Sequence, residues 1–314
     1  MNHSAEHEEP PAEVLVDVAR AVAAEVTVLG RLPGGVNGGA WHVELAGRAP
    51  AVLKAVPRAH GHHLDETWRA QRVVEHMRGL GYPTPAWLGV GATATRVWHL
   101  MDFVDAAPAP ELTASLAEQL REIIELQAGQ ASQPYDHWSY AWRVATGAGS
   151  TVAGLDLHET SEQSLLRRSL ARLPGHSPVV AALVERLRLA CADVPPPPGA
   201  PDMVHADLAT PGNVLVRDGV VVAVVDLGNA GSGTRATDLM ALVWYSFRDP
   251  SLEGVRGRLW TRIVDLVGWE GATVLAASHI LHMLEIPVRA GRHELVPGVA
   301  ERGHRTLDEL NARR

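Results

Sequence analysis

Two carboxylates, an amide and a histidine stand at short intervals in one stretch, and these residue types handle metal ions and phosphate. From Met203 the chain reads Met-Val-His-Ala-Asp-Leu-Ala-Thr-Pro-Gly-Asn-Val-Leu-Val, then Arg-Asp-Gly, then Val-Val-Val-Ala-Val-Val-Asp-Leu-Gly-Asn. Asn213 and Asp226 offer hard oxygen donors that suit Mg²⁺, above all where phosphate oxygens complete the shell. Asp207, if it does not ligate the metal, is free to orient a hydroxyl and accept its proton. Phosphoryl transfer needs that combination, because it asks for positioning and charge neutralisation more than covalent chemistry.

The elements that must position these groups are legible on either side of them. Apolar runs at 214–216 and 220–225 flank Asp218-Gly219, and Asp-Gly between β-branched runs predicts a hairpin. Antiparallel pairing brings the outer ends of a hairpin together, so Asp207, Asn213 and Asp226 are expected to converge. Taken singly, His-Ala-Asp reads as a turn and Asp226 as a strand-end cap. Their joint order and spacing carry the chemical reading.

His205-Ala-Asp207-Leu, Asn213-Val-Leu and Val-Val-Asp226, followed by Gly233 and Asp238-Leu239, resemble the aminoglycoside phosphotransferase and choline kinase family of protein-kinase-like enzymes. The antibiotic phosphotransferases are the nearest branch. The resemblance implies Asp207 as catalytic base, Asn213 and Asp226 as Mg²⁺ ligands, and His205 and Asp238 as structural braces. Five residues, 208–212, separate Asp207 from Asn213, where the kinase pattern has four. Thr210-Pro211-Gly212 reads as a turn that absorbs the extra residue. No Ala-Pro-Glu follows Asp226, which leaves no room for a peptide platform and favours small-molecule acceptors.

Upstream, residues 26–45 read as a strand, a Gly-rich turn and a second strand. Gly34, Gly35 and Asn37 in that turn offer backbone amides to phosphates, and the turn resembles the Gly-Gly-x-x-Asn loop of small-molecule kinases. Lys54 lies in a third predicted strand and is the only lysine in the chain. A compact ammonium there can reach the α- and β-phosphates. The family pairs this lysine with a glutamate of the next helix. Over residues 64–80 the nearest acids are Glu66 and Glu75, and Glu66 is the expected partner. Strands are predicted at 86–90 and 96–104, and the resemblance implies that backbone groups near Met101 and Phe103 meet an adenine.

Helices are expected at 12–26, 111–130, 162–173, 178–193, 237–247, 252–267, 271–289 and 300–312 from apolar periodicity and end signals. Residues 132–160, with Trp138, Tyr140 and Trp142, show little period and read as core or as a cleft wall. Pro195–Pro198 reads as a spacer before the catalytic loop. His60, His62 and His63 read as a solvated turn. His282 and Glu285 lie on one side of a predicted helix, either as a polar patch or, since relatives recognise acceptors in this region, as a wall for the acceptor.

Composition narrows the class. The 314 residues are 46% hydrophobic and 20% charged, with a formal charge of −8. That balance fits an ordinary soluble enzyme, disfavours a general nucleic-acid binder and weakly favours cationic partners. One cysteine excludes a disulfide framework. The N-terminal residues lack a secretory pattern, and no membrane-length apolar run is evident, so a cytoplasmic protein with no membrane partner is expected, as monomer or homodimer.

The fold expected is α+β and two-lobed, protein-kinase-like. Residues 1–11 are expected to be disordered, 12–105 to form a small antiparallel β N-lobe that binds nucleotide, and 106–314 to form a larger, mainly helical C-lobe. The expected activity is transfer of the γ-phosphoryl group of ATP or GTP, with Mg²⁺, to a hydroxyl of a cationic small molecule such as an aminoglycoside or tuberactinomycin antibiotic. A kinase of choline-like, amino-alcohol or sugar metabolites, or a nucleotide-binding pseudokinase, is the alternative.

Overall fold

The computed structural model describes residues 9–32, 39–131, 135–148, 170–199, 201–208 and 212–314. The disorder expected for residues 1–8, the Gly-rich turn with Gly34, Gly35 and Asn37, most of the helix expected at 162–173 and the 209–211 turn lie outside them.

Alternating apolar residues draw the first part of the chain into a sheet. Strands β1 (Val26–Arg31), β2 (Gly39–Leu45), β3 (Ala51–Pro57), β4 (Trp87–Ala92) and β5 (Arg96–Asp102) pair antiparallel in the order β1-β2-β3-β5-β4. Along β2, Trp41, Val43 and Leu45 point inward while their neighbours stay more exposed, the period of two that a one-faced sheet requires. Helix α1 (Ala12–Val22) covers that face with Val14, Val18 and Val22. Trp98 donates its indole N–H to Asp17 at 2.8 Å, which ties α1 to β5. Helix α2 (His63–Gly79) buries Arg69, Ala70, Val73, Val74 and Met77.

The predicted hairpin is present. Strands β8 (Val214–Arg217) and β9 (Val220–Val224) are joined by Asp218 and Gly219, at φ 51° and 77°. Positive φ at both central residues is the turn that matches strand twist. A short strand β6 (Ala107–Pro108) pairs with β8, and the Val224 N–H donates to the Pro83 carbonyl at 2.6 Å.

By its contacts the chain falls into two units: Met1–Glu111 with Thr210–Asn229, and Leu112–Ala209 with Ala230–Arg314. This differs from a single cut at 105/106, because β6 and Pro83 bond the hairpin to the first unit.

In the second unit, helices α3 (Ala114–Glu125), α4 (His137–Thr146), α5 (Pro178–Cys191), α6 (Ala236–Ser246), α7 (Glu253–Arg289) and α8 (Val296–Arg313) surround a two-stranded ladder of β7 (Asp202–Val204) and β10 (Gly231–Gly233). Thr113, Asp136 and Ser177 cap α3, α4 and α5 by accepting backbone N–H bonds. Helix α4 was not expected. It is buried nearly all round, His137 to Ala145, and a helix without a wet face shows no amphipathic period. Its end signals were present: Asp136 at the start and Gly147, at φ 72°, at the end.

Helix α7 is two helices joined at a kink. Gly268 has φ 71° and ψ 177°, which no helix contains. An 18-residue window within Pro250–Arg289 reaches a mean hydropathy of 1.3, enough to cross a membrane by length and composition alone, and 61% of it is buried inside the protein. The expectation that no apolar run reaches such length is corrected to that extent. Burial against the other helices accounts for its apolarity.

His279, on α7, is half-buried, with its Nε2 shielded from solvent and its ring edge-on to Trp244 at 5.6 Å. Burial, helped by His282, pulls its pKa down to about 3. The unfolded chain binds that proton below its ordinary pKa of 6.5 and the folded chain does not, so stability rises with pH across this window and is lost as pH falls through it. From neutral pH to about pH 5 the expected loss from this one ring is about 2 kcal/mol. Urea unfolding of wild type and His279→Gln at both pH values checks it, and the variant should show the shallower pH dependence.

Candidate active site

The open end of the hairpin collects the polar groups of the first unit. Asn213 precedes β8 and Asp226 follows β9, and the Val225 N–H donates to the Asn213 carbonyl at 2.9 Å. Register therefore sets Asn213 and Asp226 side by side. Lys54 reaches this end from β3, its ammonium donating to Asp226 Oδ1 at 2.5 Å. The pair is partly open, with 22% and 40% of the two side chains exposed. Asp226 already holds a cation through a carboxylate oxygen, and carboxylate and amide oxygens are the donor types that suit Mg²⁺. Asn213 and Asp226 thus fit a Mg²⁺ ion by donor type.

Asp226 has φ 68°. Left-handed backbone is rare outside glycine, though Asp and Asn tolerate it best, and it concentrates at functional sites. The turn after it is held from α2, where Arg69, 5% exposed, donates to the Gly228 carbonyl at 3.1 Å. Arg69 escaped the sequence reading; the signal was an arginine on the inward, otherwise apolar face of α2.

Two expected contacts of this unit are corrected. Glu66 does not pair with Lys54: its carboxylate lies 3.4 Å from His60 Nε2, while Lys54 is on Asp226. Glu66 sits in the first turn of α2, about one turn before the position the pairing calls for. The Phe103 N–H is engaged by the Pro50 carbonyl at 3.1 Å and the Asp102 N–H by Ala86 at 2.9 Å, so neither is a ready donor to an adenine. Met101 is buried in β5, paired with Val52 and Trp87. The Phe103 ring stacks on His42 with centroids 4.0 Å apart.

In the second unit the loop bearing Asp207 is gripped from α6. Asp238, in the first turn of α6 and fully buried, accepts from the His205 N–H at 2.8 Å, the Ala206 N–H at 3.0 Å and the Gln127 amide at 3.0 Å. Burial holds the Asp238 carboxyl above its usual range, and these bonds oppose that shift. His205, fully buried, accepts the Asp207 N–H at Nδ1 at 3.2 Å, so Nε2 carries the proton in the neutral ring. Ala206, between them, has φ 73°, a second left-handed non-glycine residue. Asp207 is half-buried at the turn these bonds shape.

Removing the Asp238 carboxylate strands three buried donors. Asp238→Ala is expected to cost about 3 kcal/mol in urea unfolding, since each buried donor left unpaired costs about 1–3 kcal/mol. A loss below about 1 kcal/mol would show that the loop is held by something else.

His282 and Glu285 do not form a wall. Glu285 is 0% exposed, with Arg289 Nε 2.8 Å from Oε1 at an angle too oblique for a hydrogen bond. The inward face of α7 carries Leu281, Leu284 and Glu285 together, so a residue there cannot meet a soluble acceptor, and His282 is half-buried one turn earlier.

Comparison with known proteins bears on family and fold. The model of a family described as the phosphotransferase enzyme family matches residues 28–272. Among solved structures, a thermostable variant of the aminoglycoside phosphotransferase APH(4)-Ia, bound to ADP and hygromycin B, is 16% identical. That alignment covers 95% of this chain and 98% of that one, with a TM-score of 0.64. A candidate fructosamine-3-kinase from Thermobifida fusca YX-ER1 is 22% identical over 93% of this chain and 98% of that one, with a TM-score of 0.55. Comparison with curated protein sequences yields no match. At these identities the structural likeness is one of fold: α+β, an antiparallel sheet followed by a helical portion, as in kinase-like enzymes. With the family model spanning most of the sequence, the chain belongs to the phosphotransferase enzyme family.

Proposed function

We propose that this enzyme transfers the γ-phosphoryl group of ATP or GTP to a hydroxyl of a small molecule, in a Mg²⁺-dependent reaction. The observation that carries the reading is the seat of Lys54 on Asp226 beside Asn213, at the end of a hairpin. Asn213 and Asp226 would hold Mg²⁺, which would supply charge neutralisation on the triphosphate, and Lys54 would serve the phosphates. Asp207 orients the acceptor hydroxyl and takes its proton. The acceptor oxygen bonds to the γ-phosphorus as the bond from that phosphorus to the β,γ-bridging oxygen breaks, and the nucleoside diphosphate leaves. ATP is the favoured donor by analogy with the similar phosphotransferase that binds ADP.

The acceptor is a hydroxylated compound of antibiotic or sugar size. Hygromycin B, bound by that phosphotransferase, and a fructosamine, the substrate named for the Thermobifida protein, frame the range. A polycationic antibiotic remains the reading that the net charge of −8 favours. Arg248, just after α6, with Arg302 and Arg305 of α8 favours a second reading, a metabolite kinase.

The test is nucleotide consumption with Mg²⁺ across neutral, cationic and anionic hydroxyl compounds, beside an Asp207→Ala control. Acceptor-dependent turnover lost in the control supports the proposal. Nucleotide binding with no turnover on any acceptor favours the pseudokinase alternative, and no nucleotide binding sinks both.

A further inference from the structure

Trp244 and Tyr245 in the C-terminal half of α6, and Phe247 just after it, each lie against a guanidinium. Arg248 lies over the Tyr245 ring at 4.7 Å, Arg302 over the Trp244 ring at 5.1 Å and Arg305 over the Phe247 ring at 5.2 Å. Other arginines of this unit have acidic partners: Arg186 with Asp308, Arg235 with Asp202 and Glu125, Arg256 with Glu309, Arg262 with Glu125. Among the described residues Arg248, Arg302 and Arg305 have none. Burial, then the like charges of Arg248 and Arg305, pulls the Arg302 guanidinium below its ordinary range, and Tyr245 opposes that shift. Three cations held together without a carboxylate raise the energy of the empty protein, and an anion relieves it.

The mode of support matters. A guanidinium stacked on a ring is positioned through its face, and the N–H groups along its edge stay available to grip a carboxylate or phosphate with two parallel bonds. An arginine already bound to a glutamate offers no such edge.

The patch is aligned with the loop of Asp207. Asp238, which grips that loop, and Tyr245 are seven residues apart on α6. That spacing puts them on one face of the helix with a rise of about 10 Å between them. The Asp207 charge is also felt at the Tyr245 hydroxyl, together with those of Arg248 and Arg302.

We propose that Arg248 and Arg302 form an anion-binding subsite for the acceptor, which therefore carries a carboxylate or phosphate group besides the hydroxyl it presents to Asp207. The inference rests on the reading of Asp207 as the base of a phosphotransferase. It departs from the polycationic acceptor that the net charge favours, because the charge near Asp207 has the opposite sign to that of the chain.

The experiment uses the full chain in three arms. Initial rates with MgATP are measured on gluconate, glycerate and ribose 5-phosphate, on the neutral glucose, glycerol and ribose, and on hygromycin B. Binding of gluconate and of inorganic phosphate is measured by calorimetry without nucleotide. Binding of MgATP is measured separately. Wild type is compared with Arg248→Gln, Arg302→Gln, Arg302→Lys and, as a surface control, Arg217→Gln, with thermal melts to establish folding.

Turnover confined to anionic acceptors is expected, with KM raised at least about tenfold by either Gln variant, partly restored by Arg302→Lys, and KM for ATP unchanged. If no compound turns over, the loss of gluconate and phosphate binding in the Gln variants is the supporting result. The inference is overturned by turnover of neutral or cationic acceptors that the Gln variants leave intact. It is overturned equally by a rise in KM for ATP alone, which would give the arginines to the donor, or by anion binding equal in wild type and variants. A failure of MgATP to bind would sink the phosphotransferase reading and leave the anion-binding result to be read on its own.

Discussion

Asp207→Asn is expected to lower kcat by about 10²–10⁴-fold, the range for loss of a positioned general base, while leaving the affinity for MgATP within about twofold of wild type. The asparagine fills the same space and keeps a hydrogen bond to the acceptor hydroxyl, but it cannot take the proton. The loop around it is set by bonds that the substitution does not touch: His205 and Ala206 donate backbone N–H groups to Asp238, and the residue 207 N–H donates to His205. Stability should therefore change little, and the loss should fall on kcat more than on KM. Single-turnover rates with saturating acceptor separate the two. A variant that retains more than a tenth of wild-type kcat would assign the proton to solvent or to another group, and Asp207 would then be an orienting residue only.

Local signals read well in this sequence, and the reasons are physical. The Asp218-Gly219 turn dictates its own backbone, and both residues take the positive φ that the hairpin needs. Two predicted helices at 252–267 and 271–289 left a gap in which Gly268 breaks α7. Signals that depend on packing were lost. Helix α4 shows no period because nearly all its residues are buried. Glu285 reads as a surface acid, yet the turn of α7 that carries it faces the interior.

Partner choice was less legible still. Lys54 stands out by its rarity, but its contact with Asp226 is 172 residues away in sequence, and a nearby glutamate was the only partner that local reading could supply. Charge is likewise a matter of scale. The −8 of the whole chain is an average, while Trp244 and Tyr245 of α6 and Phe247 just after it lie against Arg248, which follows α6, and Arg302 and Arg305 of α8.

Asp226→Asn is expected to cut kcat/KM for nucleotide by on the order of 10³-fold, because it removes the anionic oxygen most suited to hold Mg²⁺ against the triphosphate. Asparagine is the discriminating replacement. It tolerates the φ of 68° at this position, whereas alanine would add backbone strain of about 1 kcal/mol or more and confound the result. Losing the contact with Lys54 should cost under about 1 kcal/mol of stability, since the pair is partly exposed and screened by solvent. An enzyme with intact melting and little activity is thus the expected phenotype. Raising Mg²⁺ from about 1 to about 20 mM should recover part of the rate, because a weakened site fills by mass action. Lys54→Ala supplies the counter-test: it removes the other half of the pair, leaves the oxygen donors in place, and should lower activity with no rescue by Mg²⁺. If Mg²⁺ instead rescued the lysine variant and not the aspartate variant, Asp226 would be the anchor for Lys54, and the metal would be held elsewhere.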